Sequence, residues 1–429
     1  MNETLSDQTL STATEQSAWT VEDSAELYQI DAWSNGYFCV APNGDVRVTP
    51  LGDGTKGFSL HDLVVDLCRR GHQLPLLLRF SEIMRHRLQT LNTAFQTAIS
   101  EYGYRGSYRS VFPIKVNQQA DILEELLDYG RPLRMGLEAG SKPEVLVALA
   151  YTDQPDGIIV CNGYKDAGYI ETALLAQELG RYPILVIDRF AELEMIIRIS
   201  QRIGIRPSIG IRARLASRGS GRWDESSGAK SKFGLSASEI LHVIERLRGA
   251  EMLDCVELLH FHIGSQVTEI RAIKEALREA ARIYVEIHRL GAKPSLIDVG
   301  GGLGVDYDGT KSNANSSINY SLQEYANDVV DALQRVCDGA GVPHPEIISE
   351  SGRALSAYHS VLVFDVLGAD LVDVGDVGLK PATAGDPLPL HGLYEAWAHV
   401  DAKSFLERYH DAVLLRDEAT TLFNLGYLD

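Results

Sequence analysis

A lysine, a histidine pair, a run of glycines and a glutamate each fall at the end of an apolar, β-rich segment of this 429-residue chain. Lys115 ends the segment VFPIKVN. Desolvation by apolar neighbours disfavours an ammonium ion, so we predict that the pKa of Lys115 is lowered and that its amine is available for imine chemistry. The alternative is a strand-end lysine that reaches solvent.

The histidine pair lies in the segment HFHIGSQ, where His260 and His262 are two positions apart. In a strand both rings would face the same side and Phe261 the other. The pair could bind a metal ion, although no third ligand follows at a suitable spacing. One ring could equally stack on a flat cofactor, and either could be a core histidine.

Three consecutive glycines, Gly300 to Gly302, end a later β-rich segment in DVGGGLG. Glycine lets backbone amides approach a phosphate closely. The motif lacks the GK[ST] of a Walker loop, and it lies too late in the chain for a dinucleotide fingerprint. Glu350 and Arg353 follow the last β-rich segment, in SESGR. Together these residues suit a cofactor with a basic ring nitrogen and a phosphate; the alternatives are a tight turn and a surface ion pair.

Eight β-rich segments alternate with amphipathic, helix-like ones, which predicts a (β/α)8 TIM-type barrel. A doubly wound open sheet is the alternative, and the count of eight favours the barrel. Polar residues at the carboxyl ends of the strands mark the catalytic end of such a barrel. The predicted strands are 108–117, 133–140, 157–164, 182–188, 207–215, 256–264, 295–302 and 346–352, and the strand-end residues include Lys115, Glu138, Asn162, Arg212, Arg214, His262 and Glu350.

The segments on either side of the barrel predict a small β domain, formed from the N-terminal segment and the region after the barrel. The predicted organisation is a disordered tail (1–24), an N-terminal β segment (25–75), the cofactor-binding barrel (76–355), the start of a C-terminal β domain (356–375), and a loop with a helical segment (376–429).

The composition excludes some function classes. A net charge of -19 disfavours binding to nucleic acid and is compatible with a cationic substrate. Five scattered cysteines without a CxxC pair argue against a disulfide framework or a zinc site and favour a reducing cytoplasm. The first residues do not have the pattern of a secretory signal, and no apolar stretch has the length of a membrane helix.

Taken together, the motifs resemble those of the biosynthetic arginine decarboxylases, within the barrel-type decarboxylases that depend on pyridoxal 5'-phosphate (PLP) and have an alanine-racemase-like barrel. The resemblance covers roughly residues 25–370. It implies a lyase that converts L-arginine to agmatine and CO₂, the first step of a route to putrescine and spermidine. The motifs, in chain order, are IKVNQ, LEAGSK, VCNGYKD, RARL, SKFGL, LLHFHIGSQ, DVGGGLGVDY and SESGRA.

The resemblance also implies individual roles. Lys115 would bind PLP covalently with Glu138 nearby, His262 would stack on the pyridine ring, and Glu350 would pair with the ring nitrogen. The remaining cofactor-binding residues would be Ser265, Gly300, Gly301, Gly302, Gly352 and Arg353. The substrate-binding region would be Ile297, Asp298, Val299, Gly300, Gly301, Gly302, Leu303, Gly304, Val305, Asp306 and Tyr307.

The family's Mg²⁺ is implied too, but its ligands are unknown from the sequence. Members form homodimers or dimer-based homo-oligomers with shared active sites. They also carry a second, β-rich domain with a Cys-Asp motif, whereas this sequence has no cysteine after Cys337. We therefore expect a piece of a longer gene product, and turnover by this chain alone stays open.

Two other interpretations remain. The chain could be another barrel-type PLP enzyme, either a diaminopimelate decarboxylase or an amino-acid racemase. A racemase needs a catalytic tyrosine late in the chain, and Tyr409 and Tyr427 have an unsuitable context. The chain could also be a non-catalytic PLP-binding protein.

Overall fold

A computed structural model describes residues 19–54, 56–154, 157–217, 228, 231–369, 381–401 and 404–428. Most of the predicted disordered tail, 1–24, lies outside these residues. Its described end begins helix α1 (Val21–Tyr28), where Thr20 and Asp23 form a capping box. This arrangement satisfies N–H groups that a helix start otherwise leaves without partners.

The segment before the barrel combines short helices with a three-stranded antiparallel sheet in the order β1-β2-β3. Helix α3 begins after Ser59, whose side chain accepts from the Asp62 N–H. The elements of this segment are α2 (Ile30–Trp33), β1 (Phe38–Val40), β2 (Val46–Val48), β3 (Phe58–Ser59), α3 (Leu60–Arg69) and β4 (Leu76–Arg79).

Eight parallel strands form a closed barrel in the spatial order β5 to β12, with β12 paired to β5. The predicted (β/α)8 barrel is confirmed, and the open sheet is excluded. The strands are β5 (Tyr108–Pro113), β6 (Gly136–Ala139), β7 (Ile158–Cys161), β8 (Tyr182–Ile187), β9 (Ser208–Arg212), β10 (Val256–His260), β11 (Leu296–Asp298) and β12 (Glu346–Ser349).

Helices surround the barrel on the outside. Long helix α4 precedes β5, and its stripe Met84, Leu88, Leu91 and Phe95 is buried, as the helical spacing predicts. The surrounding helices are α4 (Ser81–Tyr102), α5 (Ala120–Gly130), α6 (Lys142–Tyr151), α7 (Ala167–Glu178), α8 (Phe190–Ile203), α9 (Ala237–Gly249), α10 (Ile270–Arg289) and α11 (Leu322–Ala340).

Two hydrophobic cores follow from the alternation of side chains along each strand. One face of the strands packs against the helices. The other face fills the barrel interior with branched aliphatic side chains, as is usual in such barrels. The interior cluster consists of Val111, Ile158, Val160, Ile184, Val186, Leu258, Leu296 and Ile348.

The chain after the barrel returns to the N-terminal segment. Short helix α12 (Gly352–Ser356) leads into β13 (Ser360–Val363), which pairs antiparallel with β4. This pairing confirms a small β unit made from segments on both sides of the barrel. The limits of the predicted domains stay predictions.

Beyond 370–380, which lie outside the described residues, two helices pack on each other: α13 (Leu388–Ala398) and α14 (Phe405–Asn424). In the described part of the chain, no helix combines the length and apolar character needed to cross a bilayer.

Candidate active site at the barrel mouth

The polar residues of the site continue the interior face of the barrel strands. Several lie two positions after an apolar interior residue: Glu350 follows Ile348, and Asn162 follows Val160. Because side chains alternate along a strand, such a residue points toward the barrel axis just above the core. Glu138, Asp188, Arg212, His260 and Asp298 occupy equivalent positions in their strands or directly after them.

A cavity of about 1000 Å³ opens at this end. This volume is at the upper end of the range for small-molecule sites. Most of the predicted cofactor-binding residues line it, which brings together parts of the chain more than 230 positions apart. The lining includes Lys115, Glu138, His262, Ser265, Gly301, Gly302, Glu350, Gly352 and Arg353.

Lys115 is paired with a carboxylate of the next strand. Its Nζ donates to Glu138 Oε1 at 3.2 Å, and Glu138 Oε2 lies 3.1 Å away. Burial would lower the pKa of Lys115, but the nearby charges of Glu138 and Glu350 outweigh it and raise that pKa. The predicted lowering was therefore wrong, because the sequence does not show which carboxylates the fold brings to the amine.

Glu138 is completely buried beneath this amine. Burial, with repulsion from Glu350, raises its pKa to about 7. Its Oε2 lies 3.1 Å from Lys115 Nζ as an ion pair, but it makes no well-aligned hydrogen bond within the described residues. The raised pKa makes Glu138 a stronger proton acceptor than an ordinary carboxylate, although its charge stabilises the ammonium form of Lys115 while the two are paired.

Glu350 lies at the bottom of the cavity with its carboxyl group buried. The Asn162 side-chain amide donates to its Oε1 at 2.9 Å. Burial and the adjacent Asp298 raise the pKa of Glu350 to about 7. This environment suits a carboxyl that must hold a proton-bearing ring nitrogen, because the pair would exclude water and satisfy both groups.

The His262 ring is held by its own loop, since Nδ1 accepts from the Gly264 N–H at 3.0 Å. Burial, followed by the charge of Arg212, lowers its pKa well below the usual range, so the ring is neutral. A methyl group added at Gly301 would lie 3.0 Å from His262 Nε2. A neutral ring on the cavity wall suits the predicted stacking role.

Arg353 faces the other side of the cavity. It donates to Tyr307 Oη at 2.9 Å and to Ser265 Oγ at 3.0 Å, while its buried Nε has no partner within the described residues. A guanidinium beside a serine hydroxyl and a glycine-rich turn matches the chemistry of a phosphate site.

Gly300 shows why this turn needs glycine. It has φ of +68°, and a Cβ atom there would lie 2.2 Å from the Phe261 carbonyl oxygen. The turn thus brings β11 into contact with the chain that follows β10.

The predicted substrate-binding region is only partly on the cavity wall. Gly301, Gly302, Leu303 and Tyr307 line the cavity. The other members do not: Ile297, Asp298, Val299, Gly300, Gly304, Val305 and Asp306. Their assignment to substrate stays a prediction.

Several residues near the site were not assigned roles from the sequence. Arg212 Nη1 lies 3.3 Å from Asp188 Oδ1, and Asp188 also accepts from the Gly234 N–H. Buried Lys165 pairs with Glu192 at 3.1 Å and donates to the Gly163 carbonyl. The interior-face position of Asp188 was a usable signal, whereas the Lys165–Glu192 contact depends on tertiary packing.

Two groups in the described residues have three potential metal-ligand atoms within 4.8 Å: Asp45 with His61 and Asp62, and His260 with Asp298 and Glu350. The second contains His260 but not His262, so neither group joins the two histidines of the predicted pair. Both groups contain an imidazole, whereas Mg²⁺ prefers an octahedron of oxygen ligands. Neither group therefore fits Mg²⁺, and we assign no metal to them.

Comparison with known protein families agrees with a cofactor site at this end of the barrel. Residues 88–357, more than half of the chain, match the family described as pyridoxal-dependent decarboxylase, pyridoxal binding domain. The chain belongs to this family. Residues 383–429 match a second family, described as the arginine decarboxylase helical bundle domain. The residues at the mouth fit PLP, because a lysine, a buried carboxyl and an anion-binding turn share one cavity.

Curated relatives extend the comparison. The chain is 50% identical over 410 residues to a biosynthetic arginine decarboxylase of Gloeobacter violaceus, covering 96% of this chain and 63% of the relative. It is 49% identical over 417 residues to that of Thermosynechococcus vestitus, covering 97% and 65%. The chain thus spans somewhat less than two thirds of the length of these relatives.

Solved structures show the same fold. The biosynthetic arginine decarboxylase of Campylobacter jejuni matches with a TM-score of 0.73 and 35% identity, over 94% of this chain and 66% of that one. A diaminopimelate decarboxylase of Helicobacter pylori matches with a TM-score of 0.56 and 26% identity, over 70% and 68%.

Proposed function

We propose that the chain carries the cofactor-binding part of an arginine decarboxylase, which converts L-arginine to agmatine and CO₂ with PLP as the first step of a polyamine route. The main support for this proposal is that Lys115, His262 and Glu350 line one cavity, together with Arg353 and the glycine turn. The arginine branch is favoured over the diaminopimelate branch by the names and identities of the relatives.

PLP, when bound, supplies an electron sink for the electron pair left behind when the substrate carboxylate departs as CO₂. Lys115 would hold the cofactor covalently, and its amine must first lose a proton. Glu138 is the acceptor for that proton, because its Oε1 is already 3.2 Å from Nζ. Glu350 would keep the ring nitrogen protonated, His262 would cover one face of the ring, and Arg353 with Ser265 would hold the phosphate.

Substrate selection needs a carboxylate that the described cavity wall does not offer. The acidic residues on that wall are Glu138 and Glu350, and both face the proposed cofactor position. A carboxylate for the guanidinium group would therefore come from elsewhere, which supports the proposal of a homodimer or dimer-based oligomer with shared sites.

We also propose a reducing, cytoplasmic location, because the cysteines are free thiols. The proposed reaction assigns no step to Mg²⁺, because the candidate ligand groups among the described residues do not fit the ion.

The test is borohydride reduction of the protein with PLP, followed by peptide mapping. We expect the label on Lys115 and none in Lys115→Arg, which keeps the charge but cannot form the covalent bond. Lys142→Arg, on the exposed surface of α6, is the matched control and should label normally. Labelling of another lysine, or of none, would contradict the proposal.

Release of CO₂ from labelled substrates tests the reaction. Release from arginine but not from diaminopimelate supports the proposed branch, and the reverse would replace it with the other barrel decarboxylase. Covalent PLP at Lys115 without any release would support a non-catalytic PLP-binding role for this chain alone.

A further inference from the structure

The side chain of Gln266 pairs with both backbone groups of Val305. Gln266 Oε1 accepts from the Val305 N–H at 2.9 Å, and Gln266 Nε2 donates to the Val305 carbonyl oxygen at 2.6 Å. Gln266 is buried, and its amide exchanges the same two hydrogen bonds as opposite residues of antiparallel strands. This pairing joins the chain after β10 to the chain after β11, although the two residues are 39 positions apart.

The backbone of Gln266 is in the left-handed region, with φ of +54°. Residues with a side chain seldom adopt this conformation. It persists only where the surrounding structure fixes it, and such positions are frequent at ligand-binding sites. The Gln266 amide supplies part of this fixation, and the bond from the Val267 N–H to the Gly302 carbonyl oxygen at 2.9 Å supplies another part.

Both residues that contact the Arg353 guanidinium are close neighbours of this pairing. Arg353 donates to Ser265 Oγ at 3.0 Å and to Tyr307 Oη at 2.9 Å. Ser265 directly precedes Gln266, and Tyr307 lies two positions after Val305. The Gln266 amide therefore ties Ser265 to Tyr307 through the backbone. Arg353 ties the same two residues through its side chain, which closes a loop of contacts.

The Arg353 guanidinium has a donor that this loop of contacts does not use. Its Nε is buried and has no hydrogen-bond partner among the described residues. Buried donors are normally satisfied, so an unused guanidinium N–H beside the cavity indicates an anionic ligand. A guanidinium presents its donors in fixed directions, and a change in its orientation therefore costs hydrogen bonds to that ligand.

We propose that Gln266 is a positioning residue of the phosphate subsite, because its amide holds the Ser265 and Tyr307 contacts that orient Arg353. Glutamine offers both a donor and an acceptor to the Val305 backbone, whereas glutamate lacks the donor and methionine lacks an effective group of either kind. The inference rests on the proposed function for the identity of the molecule that carries the phosphate. A free phosphate ion has the same chemistry at this subsite.

The first test compares PLP with pyridoxal, which lacks the phosphate, in absorbance titrations of the cofactor-free protein. Gln266→Met keeps the length of the side chain but removes the amide. Its dissociation constant for PLP should rise about 10-fold or more, whereas that for pyridoxal should stay within about 3-fold of wild type. Gln323→Met on α11, which loses a hydrogen bond to the Ala94 carbonyl oxygen, is the control and should change neither. An equal loss for both ligands, or a loss for neither, would overturn the proposal.

A glycine variant separates the amide from the backbone turn. Glycine adopts a φ of +54° without steric cost, so Gln266→Gly relieves the strain while it removes the side chain. We expect it to fold, as judged by urea unfolding, and to show the same selective loss for PLP. Wild-type affinity of Gln266→Gly for PLP would show that the turn alone places the subsite, and the role of the amide would be refuted.

Two measurements without the cofactor separate this inference from the proposed function. Hydrogen exchange of the Val305 amide should be about 10-fold faster or more in Gln266→Met than in wild type. The ³¹P signal of inorganic phosphate should be broadened by the wild-type protein and less so by the variant. If the wild type binds inorganic phosphate in this way but neither PLP nor pyridoxal, the proposed function fails and the role of Gln266 stands. Unchanged exchange at Val305, or a wild type that binds neither inorganic phosphate nor PLP, would overturn that role.

Discussion

The Asn162 side-chain amide donates a 2.9 Å hydrogen bond to Glu350 Oε1, from the end of β7 to the end of β12. Two strands, β5 and β6, lie between them in the barrel, so the bond crosses the mouth. Both side chains are buried. A donor placed here stabilises the ionised form of a carboxyl whose pKa burial raises.

Asn162→Ala should weaken PLP binding. A hydrogen bond to a charged group contributes about 1.5–3 kcal/mol, so we expect the dissociation constant for PLP to rise roughly 10- to 100-fold. Absorbance titration with PLP measures the change. Asn327→Ala, on outer helix α11, is the matched control, and equal affinities of Asn162→Ala and wild type would refute the role of Asn162.

Glu138 should make the cofactor-free protein less stable as pH rises. Its pKa is raised by burial, and next by repulsion from Glu350, from 4.5 to about 7. The folded protein therefore retains a proton that the unfolded chain releases, and this contribution is lost between about pH 4.5 and 7. Glu138→Gln lacks the titration, so its free energy of unfolding relative to wild type should rise by up to about 3 kcal/mol between pH 5 and 8.

Urea unfolding of both proteins at the two pH values measures this difference. Glu286→Gln, which removes an exposed carboxylate of α10, controls for the loss of a surface charge. A difference between Glu138→Gln and wild type that does not change with pH would show that Glu138 is ionised throughout.

The buried Lys165–Glu192 pair should be essential for stability. Lys165 Nζ is fully buried and donates to Glu192 Oε2 at 3.1 Å and to the Gly163 carbonyl oxygen at 2.8 Å. Lys165→Met leaves the Glu192 carboxylate buried without its counter-charge, which costs about 3–5 kcal/mol. Denaturant unfolding measures the loss. Lys142→Met removes an exposed partner of Asp166 and should cost no more than about 1 kcal/mol.

The sequence predicts much of the fold because local patterns and barrel geometry agree. The alternating pattern of the sequence shows strand-end polar residues such as Lys115 and Glu350, because they occupy the next interior-facing position after the apolar residues of their strands. The sequence does not predict which of these ends touch, since this depends on the strand register and on closure of the barrel. Carboxylate oxygens of Asp298 and Glu350 lie within 4.8 Å of each other, although the two residues are 52 positions apart in the sequence. The pKa of Lys115 likewise depends on carboxylates at the ends of two other strands.

Gly300→Ala should damage the site through the backbone. Gly300 has φ of +68°, and the added methyl carbon would lie 2.2 Å from the Phe261 carbonyl oxygen. The left-handed conformation alone costs a side-chain-bearing residue about 1–3 kcal/mol. Relief of the clash must also move the chain that carries His262, so stability and PLP affinity should fall together in urea unfolding and PLP titration.

Gly249→Ala is the control for this substitution. Gly249 ends helix α9, and an added Cβ meets nothing within 4 Å. Alanine there should raise the free energy of unfolding by about 0.5–1 kcal/mol, because it is the better helix former. If Gly300→Ala were as stable as wild type and bound PLP equally well, the close approach of β11 to the chain after β10 would not be required for the site.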